Sequence, residues 1–530
     1  MTAEAVRRRR DGTPRGYTVP AGTHPSRVPF WHHWMFAAAA AVVAFVVRAV
    51  GITRANDLFI DEVTYAQLAS AVSQGHLPNQ SGVLFFLHPP GSFLLNGAVI
   101  KIGGLSGSPM DLVYDLRWVN VVLGSAMVLL AFLIVRRIAT TPIALVAATV
   151  LAFDPFVLRN DTRVMLETPA MVALLAGWLV LFAAMERPAS RSTSLLEVIS
   201  GLLLGLALIT KDMTFIPAVG TLLVAMLWRH TQPALRAGRV AVAIGMPYLI
   251  YLDVLGFNGV LPQWWDAKTS GVSRMIGLAQ TTGFNAHPHV SLASRLVDEV
   301  PRFGTSYLLL GLCAFAGAAA ALSVVPARRF VGLIAVNTAV LGLYAVLVGA
   351  AEEQFGYYVL VASVLALSAT AAELLDRRPG LRQPVTIISA VFVTITIVLG
   401  ITARLTVDDG YRQVRAWMNG QLPANSRVGL TGVTAEFAFL PHAGYDVWPS
   451  LSSLEANHAD YVLTESHPLS EGYGYAAPAL LDWLAQHARP VFDSYGPSNG
   501  HTVIWRLDPA AMAQAVARGD DIPPVNGGYR

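Results

Sequence analysis

Residues 34–62 read WMFAAAAAVVAFVVRAVGITRANDLFIDE, an apolar run that ends in two adjacent acids, Asp61 and Glu62. The run 34–52 is long enough to span a bilayer, since a helix needs about twenty consecutive apolar residues to cross the hydrocarbon. Carboxylates are scarce in membrane segments and costly there, so two of them directly beyond a span need a reason. Further on the chain reads His88-Pro89-Pro90. Two acids at the mouth of a helical bundle, at a lipid–water boundary, point to chemistry on a lipid-borne substrate.

The composition agrees with a membrane protein. Of 530 residues, 54% are hydrophobic and 13% charged, against about a quarter charged in soluble domains. The net charge of +3 averages a basic side and a mixed side, and nothing in it calls for a nucleic-acid partner. Cys313 is the single cysteine, so no intramolecular disulfide forms. Residues 1–33 open with Arg7-Arg8-Arg9-Arg10 and stay polar and Pro/Gly-containing, which predicts a disordered cytoplasmic leader rather than a signal peptide. There is no Gly-rich nucleotide loop and no Cys/His cluster with zinc spacing.

Hydropathy predicts about eleven spans, near 34–52, 118–135, 142–158, 168–185, 195–210, 214–228, 240–255, 305–325, 330–349, 355–375 and 385–403. Lys and Arg concentrate in short cytoplasmic loops. With the N-terminus inside, the inner loops hold Arg136-Arg137, Arg187 and Arg191, Arg229, Arg236 and Arg239, Arg328-Arg329, and Arg377-Arg378 with Arg382. The outer loops hold Asp61-Glu62, Asp161 and Glu167, Asp298-Glu299, and Glu352-Glu353. Segment 92–102 is too short to span and reads as a juxtamembrane helix; counting it as a span would put every later arginine outside. An odd number of spans leaves the C-terminal region extracytoplasmic.

From about residue 405 the composition changes. An amphipathic helix at 411–419, short strands at 427–430, 461–464 and 502–507, and a helix at 477–488 predict a small α/β domain over 405–530, with a loose tail from 519. The expected fold is therefore an α-helical integral membrane protein, its catalytic domain over 34–404, carrying a small extracytoplasmic α/β domain.

Most unusual ionisable groups fall on the outer face: Arg54, Asp57, Asp61, Glu62 and His88; then Arg159, Asp161, Arg163 and Glu167; then Lys211-Asp212; then Glu352, Glu353 and Gln354 just before Tyr357-Tyr358. A rigid helical scaffold that gathers acids and bases from distant loops is the expected layout of a site. Asp61 and Glu62 read either as solvated loop carboxylates or as a general base with its neighbour; the flanking Leu58, Phe59, Ile60, Val63 and Tyr65 favour a partly buried site. His88 reads as the start of a helix at paired prolines, or as a hydrogen-bond donor to substrate. Arg163 and Glu167 are four apart, which allows a salt bridge, or leaves Arg163 for a phosphate. Lys211 reads as an interfacial lysine paired with Asp212, or as a cation for a lipid phosphate. Trp264-Trp265 suit a membrane interface, and His287 with His289 makes a poor metal site.

These residues resemble the GT-C superfamily of glycosyltransferases, above all protein O-mannosyltransferases and bacterial lipid A aminoarabinose transferases. The resemblance rests on Asp61-Glu62 after the first span, His88-Pro89-Pro90 before the second, the Arg163–Glu167 loop and the Thr210-Lys211 turn, and covers roughly 34–375. It implies a polyprenyl-phosphate sugar donor, an inverting transfer to an extracytoplasmic hydroxyl, and a bacterial-type cell membrane. By that resemblance Asp61 is the general base and Glu62 binds acceptor or positions Asp61. Arg163 and Lys211 stabilise the departing phosphate, helped by Arg274, while His88, Asp57, Glu167, Tyr357 and Tyr358 line the substrate site. Many relatives carry an Arg-Tyr pair where this chain has Gly356-Tyr357-Tyr358. Since the leaving group is already a phosphate, cations can replace a metal, and no cofactor is expected; a divalent ion held by carboxylates is the less favoured alternative. The competing readings are a flippase of lipid-linked sugars, which needs ionisable groups near mid-membrane, and a non-catalytic assembly protein. Sugar and acceptor stay open; the C-terminal domain is a candidate selector of the acceptor.

Overall fold

The computed structural model describes residues 30–188, 190–227, 234–275, 292–348, 354–440, 442–470 and 474–524. The expected leader lies outside them up to residue 29, as do His287, His289, Glu352, Glu353 and the side chain of Arg274. The chain runs α1 (Phe30–Ala49), α2 (Ile60–Ser73), a hairpin of β1 (Asn79–Gln80) and β2 (Val83–Leu84), α3 (Gly91–Gly103), α4 (Pro109–Ile138), α5 (Thr141–Phe153) and α6 (Pro155–Asp161). It continues through α7 (Glu167–Met185), α8 (Arg191–Thr210), α9 (Thr221–Leu227), α10 (Ala234–Phe257), α11 (Leu261–Met275), α12 (Leu292–Ala321), α13 (Pro326–Val348), α14 (Gln354–Arg377) and α15 (Arg382–Leu405).

Among the described residues seven helices are long and apolar enough to cross a membrane, or eight if the bent pair α5–α6 is one span. Of the eleven expected spans, α1 from Trp34 and the stretch Asp212–Met226 are shorter apolar helices, and α13, where 330–349 is expected, is not among the seven. The second is irregular for a local reason. Pro217 has no N–H to give the helical ladder, and the chain passes through a 3-10 turn (Asp212–Thr214) and a π turn (Ile216–Gly220) before α9. The 62° bend between α5 and α6 is built by Asp154, whose carboxylate accepts from the N–H groups of Phe156 and Val157, both at 3.0 Å, and from Ser306. Pro155 sits at the first position of the new helix, where its missing N–H costs nothing.

At one face α2 and α3 pack side by side, Tyr65 against Phe93 and Ala69 and Ser73 against Gly97. Helix α3 matches the predicted juxtamembrane segment. Helix α2 is a correction: Asp61 and Glu62 stand in the first turn of a helix, where negative charge is favoured, rather than in a loop. Its buried side, with Val63, Tyr65, Leu68 and Ala69, packs on Phe93 and Leu116 and on Val414, Leu430 and Ile504 of the C-terminal domain. That face is visible only once those partners are in place. The opposite ends of the helices carry Arg136, Arg137, Arg328 and Arg377, and Arg328 pairs there with Glu373 and Asp376 at 3.0 and 2.7 Å.

The C-terminal domain comprises α16 (Gly410–Gln421), β3 (Val428–Leu430), α17 (Val433–Phe439), β4 (Tyr445–Val447), α18 (Leu451–Ala456), β5 (Tyr461–Glu465), α19 (Ser466–Ser470), α20 (Ala479–His487), β6 (Arg489–Gly496), β7 (Gly500–Arg506) and α21 (Pro509–Arg518). Its five-stranded sheet has the order β4-β3-β5-β7-β6, parallel on the β4-β3-β5 side and antiparallel beyond. The predicted strands are β3, β5 and β7. Strand β6 was not predicted because Pro490 and Asp493 break its pattern; as an edge strand it tolerates the proline.

Candidate active site

Four helix ends converge on one amide. Asp61 opens α2, Gln354 opens α14, Lys211 follows the last turn of α8, and Glu167 opens α7. The Gln354 side chain donates through Nε2 to Asp61 Oδ2 at 2.6 Å and accepts through Oε1 from Lys211 Nζ at 3.2 Å. Lys211 Nζ also lies 2.9 Å from Glu167 Oε1. Lys211 is therefore not an interfacial lysine: it is 2% exposed and turned into the bundle. Asp212, expected as its partner, instead takes Lys268 of α11 and accepts from Tyr248 Oη. Asp61 is half-buried, whereas Asp57, Glu62, Asp161 and Glu167 are all buried. Asp61 is thus the carboxylate of this group that a substrate can reach.

His88-Pro89-Pro90 leads into α3 as the prolines predict, with the imidazole near the rings of Tyr65 and Phe85, both centroids at 6.0 Å. Gly91 is required by packing. A Cβ there would lie 2.6 Å from Thr210 Oγ1 and 2.8 Å from the Ile209 carbonyl, so the missing side chain lets α3 press against the end of α8 beside Lys211. Helix α11 covers the same corner: Lys268 donates to the Leu87 carbonyl at 2.9 Å, and Trp264 packs on Tyr248 while Trp265 is exposed.

Glu62 has a different job from its neighbour. Its carboxylate takes both Arg117 Nε and Nη2, at 2.9 and 2.8 Å, and accepts from the Val164 N–H at 2.9 Å. Arg117 further donates to the carbonyls of Ile52, Asn56 and Asp57 at 3.0, 2.9 and 3.3 Å. Both side chains are fully buried, so Glu62 as placed ties the start of α2, where Asp61 stands, to the segment before it and does not reach an acceptor. A second buried pair sits below. Arg48 meets Asp161 at 2.6 Å, and Asp161 accepts from Tyr357 Oη and Thr168 Oγ1 at 2.6 and 2.8 Å. Gly124 leaves the space, since a Cβ there would come within 2.6 Å of the Asp161 carboxylate. Tyr357 and Tyr358, expected in the substrate site, are both fully buried in the bundle core, Tyr357 held there by its bond to Asp161.

Arg163 and Glu167 do not pair. Arg163 sits in the turn between α6 and α7, so the two are not on one helical face. Its Nε lies 4.0 Å from Glu62, its Nη2 donates to Ser498 Oγ at 3.4 Å, and its guanidinium stacks over Phe59 at 5.3 Å. Asp57 is likewise committed elsewhere. Its buried carboxylate accepts from the Tyr411 N–H at 3.2 Å and from Asn499 Nδ2 at 2.8 Å, so the turn between β6 and β7 docks onto the loop leading to Asp61. Tyr411 Oη in turn donates to Glu465 Oε1 at 2.7 Å.

Burial, reinforced by Asp408, pushes the Asp57 carboxyl up to about 7, and burial does the same to Glu465, also to about 7, with Asp57 adding to the effect. Both acids hold protons in the folded state at pH values where an exposed carboxyl has lost them. Their contribution to stability is therefore complete near pH 4, declines as pH rises, and is gone above about 7. Thermal unfolding of the purified protein should show this fall between about pH 4 and 7, and the double variant Asp57→Asn/Glu465→Gln should flatten it. An unchanged slope in that variant would remove these two acids as its source.

Arg117, Asn499 and Ser498 escaped the sequence reading. Arg117 carried a signal, a charge at the entrance of an apolar run. Asn499 and Ser498 carried none, because their partners Asp57, Arg163 and Asp408 lie far away in the chain. Among the described residues no three His, Cys, Asp or Glu side chains group as a metal site.

The fold has known counterparts. The fold is similar to the oligosaccharyltransferase AglB of Archaeoglobus fulgidus, solved with an inhibitory peptide and a dolichol-phosphate, at 12% identity and a TM-score of 0.54, covering 90% of this chain and 74% of that one. It is similar also to ArnT of Cupriavidus metallidurans bound to undecaprenyl phosphate, at 13% identity and a TM-score of 0.52, covering 90% and 98%. The class is thereby defined: an integral membrane protein with the fold of the GT-C glycosyltransferases. Within it, residues 83–265 match the family described as dolichyl-phosphate-mannose-protein mannosyltransferase. No curated protein sequence matches.

Proposed function

We propose that this protein transfers a sugar from a polyprenyl-phosphate donor to a hydroxyl acceptor, with inversion, at the face that carries α2 and the C-terminal domain. Asp61 takes the proton of the acceptor hydroxyl as its oxygen attacks the anomeric carbon. The bond from that carbon to the phosphate oxygen breaks, and the polyprenyl phosphate leaves with the electron pair. Lys211 neutralises the charge that develops on the phosphate, a task assigned here to a side chain and not to a metal. The observation that carries the reading is the Gln354 bridge, which sets the half-buried Asp61 carboxylate and the Lys211 cation, itself paired with Glu167, a single amide apart. A base on one side and a cation on the other is what such a displacement needs. Arg163 supports the site from behind Glu62, and His88 borders it. The C-terminal domain, docked through Asp57 on the segment leading to α2, is the candidate selector of the acceptor.

Purified protein in nanodiscs, given polyprenyl-phosphate mannose, arabinose or aminoarabinose with panels of peptide, glycan and lipid acceptors, should yield a glycosylated product of inverted anomeric configuration. Lys211→Ala should lower kcat by about 10²–10³, the usual loss when one group that stabilises developing charge is removed. Movement of the donor lipid across the bilayer with no covalent product would overturn the proposal in favour of a flippase.

A further inference from the structure

Helix α11 lies at the face that carries the candidate site, and its sides differ. Trp264, Ala267, Lys268 and Gly271 form the inner one. Trp264 packs edge-on against Tyr248, ring centroids 6.5 Å apart, and with Ala267 adjoins the small core of Phe86, Ile209, Tyr251 and Leu255. Gly271 fits close to Leu87, whose Cδ1 would lie 3.2 Å from a Cβ there. Lys268 makes the polar contacts of this side. It donates to the Leu87 carbonyl at 2.9 Å and pairs with Asp212, which also accepts from Tyr248 Oη at 3.0 Å. The inner side of α11 thus ties together the loop entering α3, helix α10 and the turn that carries Lys211.

Helix α11 carries more apolar surface than the described residues cover. Leu261, Trp265 and Val272 are 41%, 60% and 56% exposed, and at 3.6 residues per turn they fall within about 40° of one another, flanking the inner side. Gln263, Asp266 and Ser270, also exposed, fall on the opposite side. An apolar stripe backed by a polar side is the pattern of a helix lying in a membrane interface, where Trp is favoured. The chain reaches this stripe straight from lipid. Helix α10 is long and apolar enough to span and leaves Leu249, Ile250, Val254 and Phe257 exposed, and Gly259, at φ +69°, turns the backbone from its end into α11. Three side chains fall well short of the roughly 800 Å² per partner of a stable protein interface, so lipid is the occupant that fits. We propose that α11 is a membrane-anchored strap: Leu261, Trp265 and Val272 rest in the bilayer interface, and Lys268 ties that anchor to the Asp212 turn beside Lys211.

The single cysteine, Cys313, is buried, so spin labels can be placed one at a time on the full-length protein in a Cys313→Ser background. Labels at Trp265→Cys, Val272→Cys, Gln263→Cys and Ser270→Cys are read in phosphatidylcholine nanodiscs by collision with oxygen, which concentrates in lipid, and with a water-soluble nickel chelate. The oxygen-to-nickel collision ratio should be about threefold or more higher at 265 and 272 than at 263 and 270, as an interfacial helix requires. Lys268→Met keeps the apolar stem and removes the charge; it should sharpen the spectrum of the label at 265, the sign of a looser helix, while that label still favours oxygen. Asp212→Asn, which breaks the same pair from the other side, should do likewise. Equal ratios at all four positions would overturn the anchor, as a stripe covered by protein or left in water would give. An unchanged line shape at 265 in both variants would overturn the tie to the Asp212 turn. No sugar donor enters either measurement, so the outcome is independent of whether sugar is transferred.

Discussion

Asp61→Asn is expected to reduce sugar transfer by about 10²–10⁴, the usual contribution of a positioned general base. The variant keeps the shape of the side chain, and its amide oxygen can still accept from Gln354 Nε2, which lies 2.6 Å from Asp61 Oδ2. Folding should therefore be intact, and thermal unfolding of the variant should match wild type. The loss should appear in kcat, because the base acts on a proton in flight and not on the bound lipid; affinity for the polyprenyl-phosphate donor, measured separately, should change little. A folded Asp61→Asn protein that turns over at the wild-type rate would assign the chemistry to another residue. Glu62→Gln is the informative contrast. It touches the neighbouring carboxylate, and its damage should show as lower stability with a smaller effect on the chemical step.

Arg117→Ala is expected to cost roughly 3–5 kcal/mol of stability, the range for removing one partner of a buried ion pair. The change would strand the Glu62 carboxylate with no counter-charge and leave the carbonyls of Ile52, Asn56 and Asp57 without their donor. These carbonyls belong to the segment joining α1 to α2, so the position of Asp61 should suffer together with stability. Removing both charges, as Glu62→Gln with Arg117→Met, should recover part of the loss, because no bare carboxylate is then buried. Thermal or denaturant unfolding in detergent reads both variants. A single variant as stable as wild type would show that the pair does not hold the loop.

The spans, the juxtamembrane helix and most of the C-terminal strands were legible because each is set by a local pattern: a long apolar run, a short one, or a brief alternation between turn residues. Helix α2 was not, since its apolar face is shorter than a span and gains meaning only against Phe93, Leu116 and Ile504. At the candidate site, the sequence gathers these residues on one face but suggests pairs that the fold does not form. Spacing suggested Arg163 with Glu167 and Lys211 with Asp212. The fold gives Glu167 to Lys211 and Asp212 to Lys268, because the chain turns between the first two and α11 folds over the second. Tyr357, Tyr358 and Asp57 are polar groups near an expected site whose actual partners bury them.

By itself, then, the sequence determined that the chain is a helical membrane protein, that its acids and bases collect at one face, and that Asp61-Glu62 heads the candidate site. Hydrophobic span length and charge segregation are local quantities, and a single chain carries them openly. Only the tertiary structure decided which of the two acids is reachable and which is a buried clamp. It also decided that Gln354 joins Asp61 to Lys211, and that the turn at Ser498 and Asn499 braces the loop behind them. Those outcomes depend on which helix ends come within hydrogen-bonding reach, a matter of packing among segments far apart in the chain.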